Sequence, residues 1–270
     1  MSHYDGADLR LNVPHSARMY DYYLGGLTNF AADREAAGQA LAVAPWLRAA
    51  ARANRAFVHR STRALARAGI DQFLDIGTGI PTSPNLHEVA QRIHPQARVV
   101  YADNDPIVLS HAQALLTGTP EGRTAYVAAD VTDPAALLAS PRLRETIDLT
   151  RPVGLSLNAL LHFVPDALGA YEIVEHLKDS LVPGSALVMS HVTPEFAPEE
   201  VARLVRVYEA GGTAAQARTR SEFTRFFDGW AFVAPGLVPT PRWRPDHPGD
   251  GAGPVGDAEA ASYAAVALKP

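Results

Sequence analysis

The feature that most constrains this chain is a nearly constant interval between four polar residues. Asp75, Asp103, Asp130 and Asn158 are separated by 28, 27 and 28 residues. Each ends or follows a short apolar run: Gln72–Ile76, Arg98–Ala102, Thr124–Ala129 and Val153–Leu157. A strand, its crossover helix and two turns need roughly 30 residues, so the interval predicts one βα unit per step. Parallel strands joined this way form a sheet covered by helices on both faces, which is why the runs are apolar almost throughout. In such a sheet the strands' carboxyl ends share one edge, and ligands bind there, where the strand order reverses. Four polar side chains delivered to that edge form a site by geometry alone.

The expected architecture follows. Helices are predicted over Pro84–Ile93, Pro106–Leu116 and Asp166–Leu181, the first two opening on proline, which suits the first helical position. Ala186–His191 reads as a fifth strand and Tyr263–Leu268 as a closing one; Val201–Ala210 and Glu222–Asp228 read as helical. Pro235 to Gly256 reads as an exposed loop joining two C-terminal strands in an antiparallel hairpin, with Pro241 and Pro245 confining any strand there to an edge. Before Gly69 the texture is helical, over Ser16–Leu24, Ala31–Ala44 and Trp46–Ala68, parted by Gly25-Gly26 and Pro45. The third segment puts Ala50, Ala53, Phe57, Ala64, Leu65 and Ala68 on one face. Arg48, Arg52, Arg55, Arg63 and Arg67 lie opposite, as a solvated stripe. The expectation is a helical cap over residues 1–69 and a doubly wound, mostly parallel α/β domain over residues 70–270.

Composition narrows the function. A net charge of −5 argues against a dedicated nucleic-acid binder, which must neutralise phosphates. With no cysteine, thiolate metal sites, disulfides and a cysteine nucleophile are excluded. The ten histidines form no H-x-x-x-H or comparable cluster with carboxylates, so no metal site is expected. No G-x-S-x-G elbow appears, which counts against a hydrolase. Met1 to Pro14 has no basic stretch followed by an apolar one, and no run approaches the ~18 apolar residues of a membrane helix. A cytoplasmic protein without a membrane partner is expected.

The first strand end reads Phe73-Leu-Asp-Ile-Gly-Thr-Gly-Ile-Pro-Thr82. Glycines at 77 and 79 let a ligand approach the backbone, and the following helix aims its N-terminus at that ligand. A nicotinamide enzyme would show G-x-G-x-x-G, but here Thr82 stands at the third glycine position and Pro81 precedes it. Asp75 lies two residues before the first glycine. A carboxylate there repels a pyrophosphate but suits an α-ammonium or ribose hydroxyls. Each acid also has a structural reading: Asp75 as a turn residue, Asp103 before Asn-Asp-Pro as a helix start, Asp130 in Asp-Val-Thr-Asp-Pro as a cap.

These residues resemble a family. Asp75-Ile-Gly77-Thr-Gly79 is similar to motif I of class I S-adenosylmethionine-dependent methyltransferases. Asn158-Ala-Leu-Leu-His162 resembles the segment after that family's fourth strand. Leu177 to Gly184, followed by Ala-Leu-Val-Met-Ser-His191, resembles its helix, Pro-Gly turn and fifth strand. A narrower resemblance covers nearly the whole chain. Pro14 to Gly26, Asn29 to Glu35 and Asn54-Arg-Ala-Phe57 look like a bacterial group labelled S-adenosyl methyltransferase, formerly a domain of unknown function. The resemblance implies the fold and S-adenosylmethionine as cofactor. It implies that Asp75 with the Gly77-Thr78-Gly79 backbone holds the methionine moiety, Asp103 with Asn104 the ribose, and Asp130 with Val131 the adenine. Asn158, Ala159 and Leu160 would line the pocket near the sulfonium.

The remaining expectations concern the acceptor. His162 is the candidate catalytic base, since an imidazole titrates near neutrality and only a protonated nucleophile needs a base; a hydrogen-bonded structural histidine is the other reading. Tyr20, Tyr22, Tyr23, Gly25, Gly26, Asn54 and Arg55 are candidates for a lid, or for a helix packed on the sheet. Asp103 is expected at an exposed strand end. The function expected is methyl transfer to a small-molecule acceptor. A non-catalytic adenosyl-binding regulator and an NAD-dependent oxidoreductase are the alternatives, and the oligomeric state stays open.

Overall fold

The computed structural model describes residues 9–115, 118–245 and 255–270. In chain order its helices and strands are α1 (Ser16–Leu24), α2 (Ala31–Val43), α3 (Leu47–Arg67), β1 (Gln72–Ile76), α4 (Leu86–Gln91), β2 (Arg98–Asp103), α5 (Pro106–Leu115), β3 (Arg123–Ala128), α6 (Pro134–Ala139), α7 (Pro141–Thr146), β4 (Gly154–Asn158), α8 (Ala170–Asp179), β5 (Ala186–Val192), α9 (Pro198–Ala210), α10 (Arg220–Thr224), β6 (Ala231–Phe232), β7 (Val238–Pro239), α11 (Asp257–Ala260) and β8 (Ser262–Leu268). The sheet runs β3-β2-β1-β4-β5-β8-β6, with β7 also paired to β8. β1 to β5 are mutually parallel, and β8 is antiparallel to β5, β6 and β7. The strand order reverses at β1, between β2 and β4, so the loops after β1 and β4 border one crevice.

Strand alternation sorts the apolar residues into two layers. Leu74, Ile76, Val100 and Leu155 pack on one face with Leu137, Leu143, Ile173 and Leu177 of α6 to α8. Phe73, Val99 and Tyr101 face the other way, against Phe57, Val58 and Leu65 of α3 and Leu86 of α4. A third cluster joins Met19 and Tyr23 of α1, Ala37 and Ala40 of α2, Ala51 of α3 and Leu204 and Tyr208 of α9. α1, α2 and α9, far apart in sequence, thus form one cover. No helix among the described residues is long and apolar enough to cross a membrane.

The observed strands lie within a residue of the expected ones. The helices differ more. α4 begins at Leu86 rather than at Pro84, because Asn85 and Glu88 form a capping box: Glu88 Oε2 accepts from the Asn85 N–H at 2.8 Å. Asp166–Leu181 is not one helix. It holds a 3-10 turn, Asp166–Leu168, then Gly169 in the left-handed region, then α8. Glu222–Asp228 is likewise divided between the end of α10 and a 3-10 turn, Arg225–Phe227. α6 and α7 occupy a stretch in which no element was expected. Each is six residues long and opens on a proline, too short to leave a periodic signal.

Two further expectations are corrected. Pro235 to Gly256 is not simply an exposed loop: it contains β7, and Trp243 is fully buried, edge-on to Phe57 at 5.5 Å between ring centroids. Its residues 246–254 lie outside the described ones. On α3 the expected Ala53, Phe57 and Leu65 are buried, but the buried face also takes in Ala51, Asn54, Val58 and Ser61, while Ala50 and Ala64 are only half-buried and Ala68 is exposed. Arg55 therefore leaves the solvated stripe and turns inward.

Candidate functional site

The carboxyl edge of β1, β2 and β4 opens into a cavity of about 220 Å³. Of the expected site residues, Asp75, Gly77, Thr78, Gly79, Asp103, Asn104, Val131, Asn158, Ala159, Leu160 and His162 line it, as do Tyr20, Tyr23, Asn54 and Arg55.

β1 delivers Asp75. Its Oδ1 accepts from Ser156 Oγ at 2.6 Å across the β1–β4 ladder, where the two residues are register partners. Burial pushes the Asp75 carboxyl up to about 6, against the Ser156 hydrogen bond and the Arg55 charge, and Asp103 nearby adds to the rise. Gly77 has φ +71°, and a Cβ there would come within 2.6 Å of the Leu160 side chain. No other residue type allows both the left-handed turn and that close approach. Gly79, by contrast, has nothing within 4 Å of where its Cβ would be, so its backbone faces open space.

Asp103 is not at an exposed strand end. It is 6% exposed, and its two oxygens accept from the backbone N–H groups of Gly79 at 2.8 Å and Asp105 at 3.0 Å. It thereby ties the motif-I loop to the end of β2. Burial raises its pKa, and the two backbone hydrogen bonds oppose the rise. Each oxygen keeps a second lone pair for a ligand hydroxyl. Asp130 does not line the cavity, although Ala129 and Val131 on either side do. Exposed, it accepts from Thr132 N–H at 2.9 Å and from Asn104 Nδ2 at 2.9 Å, closing the turn after β3.

The loop after β4 is strained. Ala159 has φ +51°, a conformation that costs a non-glycine residue roughly 1–2 kcal/mol. A hydrogen-bond chain holds it there. Ala159 N–H donates to Ser190 Oγ at 3.0 Å, and Ser190 Oγ donates to Asn54 Oδ1 at 2.5 Å. Asn54 Nδ2 donates to Tyr20 OH at 2.9 Å, which donates to the Ala51 carbonyl at 2.9 Å. The chain joins β4, β5, α3 and α1 around the cavity. Arg55 braces the opposite wall by donating to the carbonyls of Thr82 and Pro84.

The other cap candidates lie elsewhere. Tyr22 is half-buried beneath the Arg48 guanidinium, 4.9 Å from its ring centroid. Gly25, at φ +84°, ends α1, and a Cβ on Gly26 would strike the Asp21 carboxylate. These three residues finish a helix and do not line the cavity.

Several residues passed over in the sequence complete the site. Arg18 is 2% exposed and lies 3.2 Å from Asp105 and 3.5 Å from Asp33, both buried. His15 Nδ1 stands 3.2 Å from the same Asp105 carboxylate. The cover is thus pinned beside the acid at the end of β2. Arg218 is fully buried and donates to Asp166 and to the carbonyls of Leu161 and Val164. It also donates to His191 Nε2 at 2.8 Å, so His191 carries its proton on Nδ1, which donates to the Val192 carbonyl at 2.7 Å. Burial, with the Arg218 charge, holds the neighbouring His162 down at about 3, so its imidazole is neutral at pH 7.

The site fits the cofactor implied by the resemblance. Asn158 Oδ1 is buried at the cavity wall with no hydrogen-bond partner, Gly79 leaves room for a ligand against its backbone, and two carboxylates stand beside them. The set suits a molecule bearing an ammonium and a ribose and lacking phosphates.

Comparisons with known proteins agree. The chain is 51% identical to a DUF574 family protein from Streptomyces avermitilis, with a TM-score of 0.93 over 97% of this chain and 100% of that one. It is 39% identical to a protein from Thermobifida fusca described as a candidate methyltransferase, with a TM-score of 0.87 over 99% of each chain. No curated protein matches the chain. The family model described as S-adenosyl methyltransferase matches residues 2–270, and the chain belongs to that family of S-adenosylmethionine-dependent enzymes.

Proposed function

We propose that the enzyme methylates a small molecule held in the cavity lined by α1, the start of α3 and α9. The observation that carries this reading is the cavity's continuity. It runs from the carboxylates of β1 and β2 to a chamber walled by Trp46, Leu47, Phe163, Val201 and Val205. S-adenosylmethionine supplies the methyl group from its sulfonium. Asp75 would pair with the ammonium of the methionine moiety, Asp103 and Asn104 would accept from the ribose hydroxyls, and Val131 would receive the adenine, while Asp130 keeps to its own turn. Asn158, Ala159 and Leu160 border the sulfonium. When bound, the cofactor would give up that methyl group with the methyl–sulfur electron pair left on sulfur, and a lone pair of the acceptor would form the new bond to the methyl carbon. Any proton on the nucleophile leaves to solvent, because a neutral imidazole held near 3 is a poor base. His162 is therefore assigned to holding the acceptor. The cover keeps the acceptor in line, where positioning supplies much of the rate.

Supplying S-adenosylmethionine labelled in its methyl group, together with a fractionated cell extract, tests this. The label is expected in the low-molecular-weight fraction. Label confined to protein or RNA would refute a small-molecule acceptor.

A further inference from the structure

The cavity has two chemically unlike halves. The charged side chains on its wall are Arg55, Asp75 and Asp103, joined by His15, and all of them stand around the ends of β1 and β2. The chamber beyond is formed by Trp46, Leu47, Phe163, Val201, Val205 and Tyr208. Among the described residues it contains no Asp, Glu, Lys or Arg. The nearby cation, Arg218, cannot serve an anion there, because its guanidinium is already bonded to Asp166, Leu161, Val164 and His191. An ionised molecule would enter this chamber with no counter-charge, and desolvating it would cost more than apolar contact returns.

The chamber's wall is also rich in aromatic rings. Phe163 lies 5.2 Å from Tyr208 at an interplanar angle of 55°, and the Trp46 indole lines the same space. Such walls pack on planar apolar surface at separations of about 4.5–7 Å. Two polar groups on these walls have no partner. The Trp46 indole N–H has no hydrogen-bond partner, and the His162 ring makes no hydrogen bond among the described residues, its Nδ1 being buried and unpartnered. Buried donors and acceptors are normally satisfied, so a ligand hydroxyl within reach of these two would pair with them.

Resting on the methyl-transfer reading above, we propose that the acceptor is an uncharged, mainly apolar ring compound whose hydroxyl group bonds to His162 and Trp46. The neutrality of His162 at pH 7 agrees with this, since it adds no charge to the chamber. Phosphorylated compounds, free amino acids and carboxylates are excluded as acceptors on the same ground.

Calorimetric titration of the full-length protein saturated with S-adenosylhomocysteine provides the test, with naphthol, naphthoate and naphthyltrimethylammonium as matched probes. Naphthol is expected to bind at least about ten-fold more tightly than either ion. The substitution Val205→Asp places a carboxylate in the chamber. It should weaken naphthol about ten-fold and favour the ammonium probe, with S-adenosylhomocysteine binding retained. Trp46→Phe keeps the ring and removes the donor, and should weaken naphthol several-fold while leaving plain naphthalene unaffected. Ions binding as tightly as naphthol, or no binding by any probe, would overturn the proposal. If Val205→Asp does not fold, the Trp46→Phe result decides, and unchanged naphthol affinity there overturns it. A wild-type protein that binds no S-adenosylhomocysteine would instead strike the methyl-transfer reading itself.

Discussion

Replacing Arg18 by methionine is expected to destabilise the protein by about 3–5 kcal/mol, the usual result of removing one partner from a buried ion pair. Arg18 is 2% exposed and stands between Asp33 and Asp105, which are 0% and 2% exposed. Its removal leaves two buried carboxylates without their guanidinium partner. It also frees the Val13 carbonyl, which accepts from the Arg18 guanidinium at 2.9 Å. For a chain of this size the loss corresponds to a melting temperature lower by roughly 10 °C. A thermal melt at pH 7 measures it. Asp33→Asn in the same background should recover part of the loss, because one of the two unpaired charges is then gone. A melt within a degree or two of the wild type would show that the cluster does not hold the cover.

Asp103→Ala is expected to weaken S-adenosylhomocysteine binding by about 1.5–3 kcal/mol, a 10- to 150-fold rise in Kd, in keeping with lost hydrogen bonds to a charged group. The same change frees the Gly79 and Asp105 N–H groups, so the melting temperature should also fall by a few degrees. An unchanged Kd beside a lowered melt would mean that Asp103 only braces the loop. In the wild type the same calorimetry should follow Asp75. Its carboxyl titrates at about 6, raised by burial, and an ammonium pairs with the ionised form. Affinity should be constant above pH 7 and fall as pH drops through 6, by up to roughly ten-fold per unit below it. Asp75→Asn should remove that dependence.

The strands at the site were legible because burial on both faces writes them as short apolar runs, and the βα unit has a narrow range of lengths. The interval from Asp75 to Asn158 therefore located four strand ends, and three of the four side chains line the crevice. What it could not carry was orientation. Asp103 reads alike whether its carboxylate faces solvent or, as found, holds the Gly79 N–H. Asp130 stands at the right interval, yet its side chain closes its own turn. Contacts between distant segments leave no local pattern either. Tyr23 and Tyr208 share a buried hydrogen bond of 3.1 Å across 185 residues, and nothing near Tyr23 announces α9 as its partner. Trp243 lies in a proline-rich segment that reads as solvent-exposed, yet it fills the core beside Phe57. One signal could have been used. Arg18 precedes Met19 and lies one helical turn before Tyr22 and Tyr23, in a helix packed by aromatic residues, where a cation needs a carboxylate partner.

The cofactor's reactive end is expected to face the uncharged chamber. A crystal structure of the protein with S-adenosylhomocysteine tests it most directly. The ribose hydroxyls are expected on Asp103, the ammonium on Asp75, and the sulfur beside Asn158 to Leu160, open toward Trp46 and Phe163. A sulfur turned away from that chamber, or a ligand bound outside the carboxyl edge of β1 and β2, would contradict it.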